Sequence, residues 1–132
     1  MFEFNDIETD TQKEVDGVWR PYKDGSELLI ARIGNDRYRS LLRRKVKSNR
    51  AVLDNEDDLA DKVGEQVVLE AMSRTILLGW KGIQVNGEDF PYSPENALKL
   101  LTASREFRDA VRNYADDAEA FRKETEDRAV KL

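Results

Sequence analysis

The chain contains neither cysteine nor histidine. Without the thiol there is no disulfide, no thiolate nucleophile and no thiolate metal site, a composition that suits a reducing compartment. Without imidazole there is also no Ser–His dyad, no base titrating near neutral pH and no ordinary zinc or iron site. Only carboxylates, Lys, Tyr and Ser remain for chemistry, so the reading is of a protein that is not an enzyme and carries no cofactor. Long apolar runs are missing too. No window approaches the roughly 18 apolar residues of a membrane span, and Met1 to Asp16 bears acids where a signal peptide has a basic start and an apolar stretch. A protein that stays where it is made, with no membrane partner, is expected.

What is present is charge. At 132 residues the chain has the length of one domain with a single core, taken as residues 1–132. Between Arg32 and Arg50, eight Lys or Arg stand against the single acid Asp36, about +7, which leaves about −12 to the remainder of a chain whose net charge is −5. Long-range repulsion from phosphates makes an acidic chain with one basic band a poor general nucleic-acid binder. An acidic protein surface, or a second copy of the chain, suits the band better.

Residues 1–13 show no sustained period and read as an extended arm. Two β-prone runs, Glu14 to Arg20 and Glu27 to Ile33, flank Pro21, Asp24 and Gly25, the signature of a hairpin. In the second run Leu28 and Ile30 point one way and Leu29, Ala31 and Ile33 the other, so something must cover both faces. Asn35 caps a helix from Asp36 to about Lys47, with Tyr38, Leu41, Leu42 and Val46 inward and Arg39, Arg43, Lys47 and Arg50 outward. The acids from Asp54 to Asp58 suit the positive end of a central helix spanning about Glu56 to Leu78. Asn86-Gly87 marks a tight turn, and Ser93-Pro94 supplies the N-cap and first residue of a short helix to about Leu101. Ser104 opens the last helix, with Phe107, Val111, Tyr114, Ala118 and Phe121 on one stripe, and residues 123–132 are expected to fray.

Asp57, Asp58 and Asp61, or Asp116, Asp117 and Glu119, invite a Mg²⁺ reading. Helix-dipole complementarity accounts for the first set and neither has the ligand spacing of a calcium loop, so no metal is assigned. The basic stripe comes without a phosphate loop, zinc-finger spacing or stacking aromatics, and nucleic acid is not assigned as a partner. Trp19, Trp80, Phe90 and Tyr92 serve either a core or a binding hot spot.

Taken in order, GVWRPYKDGSELLIARIGNDRYRSLLRR, EAMSRTILLGWKGI, FPYSPENALKLLTASREFRDAV and NYADDAEAFRKE resemble the tail assembly chaperones of bacteriophages with long, non-contractile tails. The resemblance spans about Val15 to Glu124, most specifically at Gly79-Trp80-Lys81-Gly82-Ile83, at Tyr92-Ser93-Pro94-Glu95-Asn96-Ala97, and in the opening hairpin with its Ile30-Ala31-Arg32. It implies a non-catalytic late protein that acts in the host bacterial cytoplasm and is absent from the virion. Such proteins bind the tape measure protein, keep that long helical chain soluble and help recruit tail tube (major tail) subunits. The resemblance also implies homo-oligomers and a longer frameshifted form, this chain corresponding to the short one. A small phage regulatory or counter-defence protein that binds a host protein is the competing reading.

The fold expected is α+β and predominantly helical, with an N-terminal β-hairpin packed on a bundle of about four helices. The candidate protein-contact residues are Leu29, Ile33, Arg39, Arg43, Phe107, Val111 and Tyr114. Reversing the charge of Arg39 and Arg43 is expected to weaken self-association and leave the fold intact.

Overall fold

Val18–Pro21 (β1) and Glu27–Ile30 (β2) form the expected hairpin, with Trp19 opposite Leu29 and Arg20 opposite Leu28. Its loop closes through a single 3-10 turn, Lys23–Gly25, where Asp24 and Gly25 adopt positive φ and Tyr22 N–H donates to Ser26 O at 2.8 Å. The computed structural model describes residues 1–124.

Three helices stand where their caps place them. The Asn35 side chain accepts from Tyr38 N–H at 3.0 Å and opens α2, Asp36–Ser48. Ser93 accepts from Asn96 N–H at 3.0 Å and, with Pro94 at the first position, opens the helix Pro94–Ala103, which runs two residues past its expected end. Ser104 accepts from Phe107 N–H at 3.1 Å and opens Arg105–Ala115. Each cap satisfies an N–H that the helix cannot satisfy itself, and for that reason reads locally.

The expected central helix is shorter at both ends. Glu56 takes φ 52°, so Asp57 becomes the N-cap of Asp58–Thr75, accepting from Ala60 N–H at 2.8 Å. At the other end Leu77 and Leu78 are not helical; Leu77–Lys81 is a third strand, β3, paired antiparallel with the free edge of β2. Ala31 N–H donates to Ile76 O at 2.8 Å just beyond that edge, and β2 supplies the backbone partners that an apolar helix end would otherwise lack. Gln84–Val85 (β4) and Glu88–Asp89 (β5) pair around Asn86-Gly87, both at positive φ as a tight turn requires.

The extended arm is also corrected. Phe4–Ile7 forms a 3-10 turn and Thr11–Asp16 a short helix, α1, because the Asp10 carboxylate accepts from the N–H groups of Gln12 and Lys13. The strand expected from Glu14 therefore begins only at Val18, after Gly17 at φ 86° has ended α1. Thr9 bridges Arg122, and Lys123 N–H donates to Glu8 O at 2.6 Å, so the start of the described C-terminal tail is tied to the arm. The rest of the expected fraying, 125–132, lies outside the described residues.

Numbered in order, the remaining helices are Arg50–Leu53 (α3), Asp58–Thr75 (α4), Pro94–Ala103 (α5) and Arg105–Ala115 (α6). α4 is the hub: α2, α3 and α5 pack on it and β3 follows from it. Its Leu69, Ala71 and Met72 join Leu28, Ile30, Ile76, Leu77, Leu101 and Val111 in the core. The last stripe breaks after Ala115, and Phe121 is buried from a separate 3-10 turn, Ala118–Phe121. The architecture is α+β and dominated by helices, its hairpin extended to three strands.

Candidate protein-contact surfaces

Four cations of the basic band line the outward side of one helix and its junction with the next. Arg39, Arg43, Lys47 and Arg50 are all exposed along α2 and its junction with α3. Arg39 pairs with Asp36 at 2.7 Å, whereas Arg37, Arg43, Arg44, Lys47 and Arg50 form no ion pair among the described residues. Two cations of the band turn inward: Lys45 bonds Glu70 at 2.6 Å and Arg32 meets Glu14 at 3.4 Å. The Lys45 hydrogen bond holds the Glu70 carboxyl below the usual glutamate range against its partial burial.

The outward face of the sheet carries Leu29, half-buried between Trp19 on β1 and Gly79 on β3. A Cβ at Gly79 would lie 3.5 Å from Leu29 Cβ and 3.7 Å from the Trp19 ring, so Leu29 and the indole close over this position at ordinary van der Waals distance. Trp19 remains 41% exposed, with the Lys81 ammonium 4.2 Å from its ring centroid. The second apolar face of β2 is thus screened by its strand neighbours rather than by a helix. Ile33 is half-buried against the core, and its N–H donates to Ala115 O at 2.9 Å.

Three sequence candidates fasten α6 to the hairpin. Val111 is fully buried and Phe107 is 7% exposed, its ring edge-on to Tyr22 at 5.8 Å. Val111 is a core position, closed to a partner while α6 keeps its seat, whereas Phe107 packs in the core and shows only its edge to the surface. Tyr114 is half-buried; its hydroxyl donates to Pro21 O and the Arg20 guanidinium lies 4.6 Å from its ring centroid.

Beside Phe107 opens a cleft of about 580 Å³. Tyr22, Ile83, Leu100, Ala103 and Phe107 give it an apolar lining, with Lys23, Asp24 and Gln84 adding polar groups. Lys23 is held by Glu106 at 2.9 Å, a contact that raises the ammonium's pKa. Sequence reasoning missed Tyr22, Ile83, Leu100 and Ala103 as a group. They come from three separated segments, and no local spacing signals their meeting.

Two of the acids singled out, Asp57 and Asp117, have structural work. Asp57 caps α4, and Asp117 both accepts from Glu119 N–H and pairs with Arg20 at 3.1 Å. Among the described residues no group of three His, Cys, Asp or Glu is placed to hold a metal ion, and no helix is long and apolar enough to cross a membrane.

A family model described as YdaY prophage protein matches residues 33–131. The chain belongs to that family. Membership in the YdaY family makes it a phage-derived protein, as the sequence resemblance implied at that coarser level. The YdaY match begins at the close of the hairpin run and takes in α2, with its basic face, and the later elements α3 to α6. No curated protein and no solved structure matches the chain.

Proposed function

We propose that this YdaY family member is a non-catalytic tail assembly chaperone that works in the host bacterial cytoplasm. It binds the tape measure protein, keeps it soluble and helps recruit tail tube subunits. The observation that carries the reading is the cleft beside Phe107: apolar residues from the hairpin loop, the β3–β4 connection and α5 line a recess with polar groups of both signs among them. Such a recess accepts apolar side chains from one stripe of an amphipathic helix while the exposed charges around it keep the complex in solution. The residue resemblance, in order from Val15 to Glu124, supplies the helical client, and the phage origin supplies its setting. The charge segregated on α2 suits a second, acidic partner surface.

Co-expression with the tape measure protein of the same phage tests this. The expected result is a soluble complex that co-purifies. Ala103→Arg, an exposed change at the end of α5, should fill the cleft and reduce co-purification at unchanged thermal stability. Precipitation of the tape measure protein, with no complex to it or to a tail tube subunit, would overturn the assignment and favour a host regulatory or defence protein as the partner.

A further inference from the structure

The arm preceding α1 leaves its largest side chains in water. Phe2 is 70% exposed, Phe4 63% and Ile7 43%. Within the 3-10 turn Phe4–Ile7, residues three apart eclipse, which sets Phe4 and Ile7 on one side. The same arm is acidic: Glu3, Asp6, Glu8 and Asp10 precede the first cationic side chain, Lys13. Glu8 faces Lys123 and Asp10 caps α1, whereas Glu3 and Asp6 are exposed beside the aromatic side chains, a combination that calls for an apolar floor between cations.

One surface of the chain has that character. On α2, Arg37, Leu41 and Arg44 follow one another at helical spacing, and a groove of about 380 Å³ opens there, lined by these three with Asp36, Ser40 and Thr75. A cavity of about 150 Å³ already admits a benzene ring. Leu41 is half-buried and supplies the apolar floor. Arg37 and Arg44 are exposed and make no ion pair among the described residues, whereas the one acid of the groove, Asp36, is held by Arg39 at 2.7 Å. Lys47, three residues beyond Arg44, is exposed and extends the positive charge along the helix.

We propose that the arm of one copy docks on the α2 face of a second copy, Phe4 entering the groove over Leu41 and the arm's acids meeting Arg37 and Arg44. The contact joins two different surfaces, so it closes when two copies exchange arms or when several form a ring. It does not use the cleft beside Phe107, and it stands or falls independently of the client that fills that cleft.

Sedimentation velocity on the full chain, up to hundreds of micromolar, tests the proposal without any client. The wild type should self-associate, increasingly so at low salt. Phe4→Ser and Arg44→Glu should each weaken association about 10-fold or more, and Glu3→Arg combined with Arg44→Glu should recover a large part of the loss. All three positions are exposed, so thermal melts should stay at the wild-type temperature; if Arg44→Glu fails to fold, Arg37→Glu takes its place. A monomer at every concentration would overturn the proposal. So would association indifferent to these changes, or a charge swap no better than Arg44→Glu alone.

Discussion

The Tyr92 hydroxyl donates a hydrogen bond of 2.7 Å to the carbonyl of Leu77, the first residue of β3, and lies 3.3 Å from the carbonyl of Ser73 in the last turn of α4. One phenol therefore pins the point at which α4 gives way to strand. Burial raises the pKa of Tyr92, chiefly, and Glu95 adds to the shift, so the phenol keeps the proton that it donates. Its ring also meets Trp80 edge-on at 5.0 Å, and the Trp80 indole N–H donates to Phe90 O at 2.7 Å.

Tyr92→Phe keeps the ring contact and removes only the hydroxyl. The expected loss is about 1 kcal/mol, with a melting temperature lower by about 3–5 °C. Thermal unfolding followed by circular dichroism measures it, and an unchanged melting temperature would mean that the bond contributes nothing net.

Phe107 separates a packing role from a contact role. At 7% exposure it should behave as core, and Phe107→Ala is expected to destabilise the fold by about 3–5 kcal/mol in denaturant titration. A loss below about 1 kcal/mol would place the ring outside the core and return it to the contact surface.

Two glycines near Leu29 should differ in their tolerance of alanine. Gly17 sits at φ 86°, and a Cβ there would come within 3.2 Å of Leu29 and 3.3 Å of the Ile30 backbone, so Gly17→Ala should cost about 1–3 kcal/mol. Gly79 needs no positive φ and its nearest neighbour would lie at 3.5 Å, an ordinary contact. Gly79→Ala should therefore fall within about 0.5 kcal/mol of wild type, through the lower chain entropy of the unfolded state. Chemical denaturation of the pair checks both magnitudes together.

The Lys45–Glu70 bond sets a pH dependence. Glu70 titrates below its unfolded-state value of 4.5, so the unfolded chain takes up this proton first as the solution is acidified. The stabilisation is thus present above that value and disappears as pH falls through the lower folded-state value. Both side chains are about a third exposed, and after solvent screening the pair contributes about 0.5 kcal/mol. Glu70→Gln should lie below wild type at neutral pH by that amount, the gap closing on acidification. A gap that widens on acidification would reverse the sign assigned to Lys45.

Local chemistry alone determined a good part of this protein. Asn35, Ser93 and Ser104 each announce a helix start because a side-chain oxygen two or three residues from an orphan N–H needs nothing distant. Asn86-Gly87 announces its turn for the same kind of reason, and the α2 face is legible because cations three and four residues apart must share a side of any helix. Composition excluded thiol and imidazole chemistry before any fold was known.

Tertiary structure decided the rest. Ile76-Leu77-Leu78 continues an apolar helix by pattern, and only the open edge of β2, nearly 50 residues earlier in the chain, turns Leu77–Lys81 into a strand. Leu29 has a second apolar face whose cover, Trp19 seated over Gly79, depends on strand register. The cleft assembles Tyr22, Ile83, Leu100 and Phe107 from the hairpin, the β3–β4 connection, α5 and α6, and periodicity within one segment holds no record of such a meeting. Hydrogen bonding to a cap acts over two or three residues and is written locally; burial and strand pairing act between segments and exist only once the chain has closed on itself.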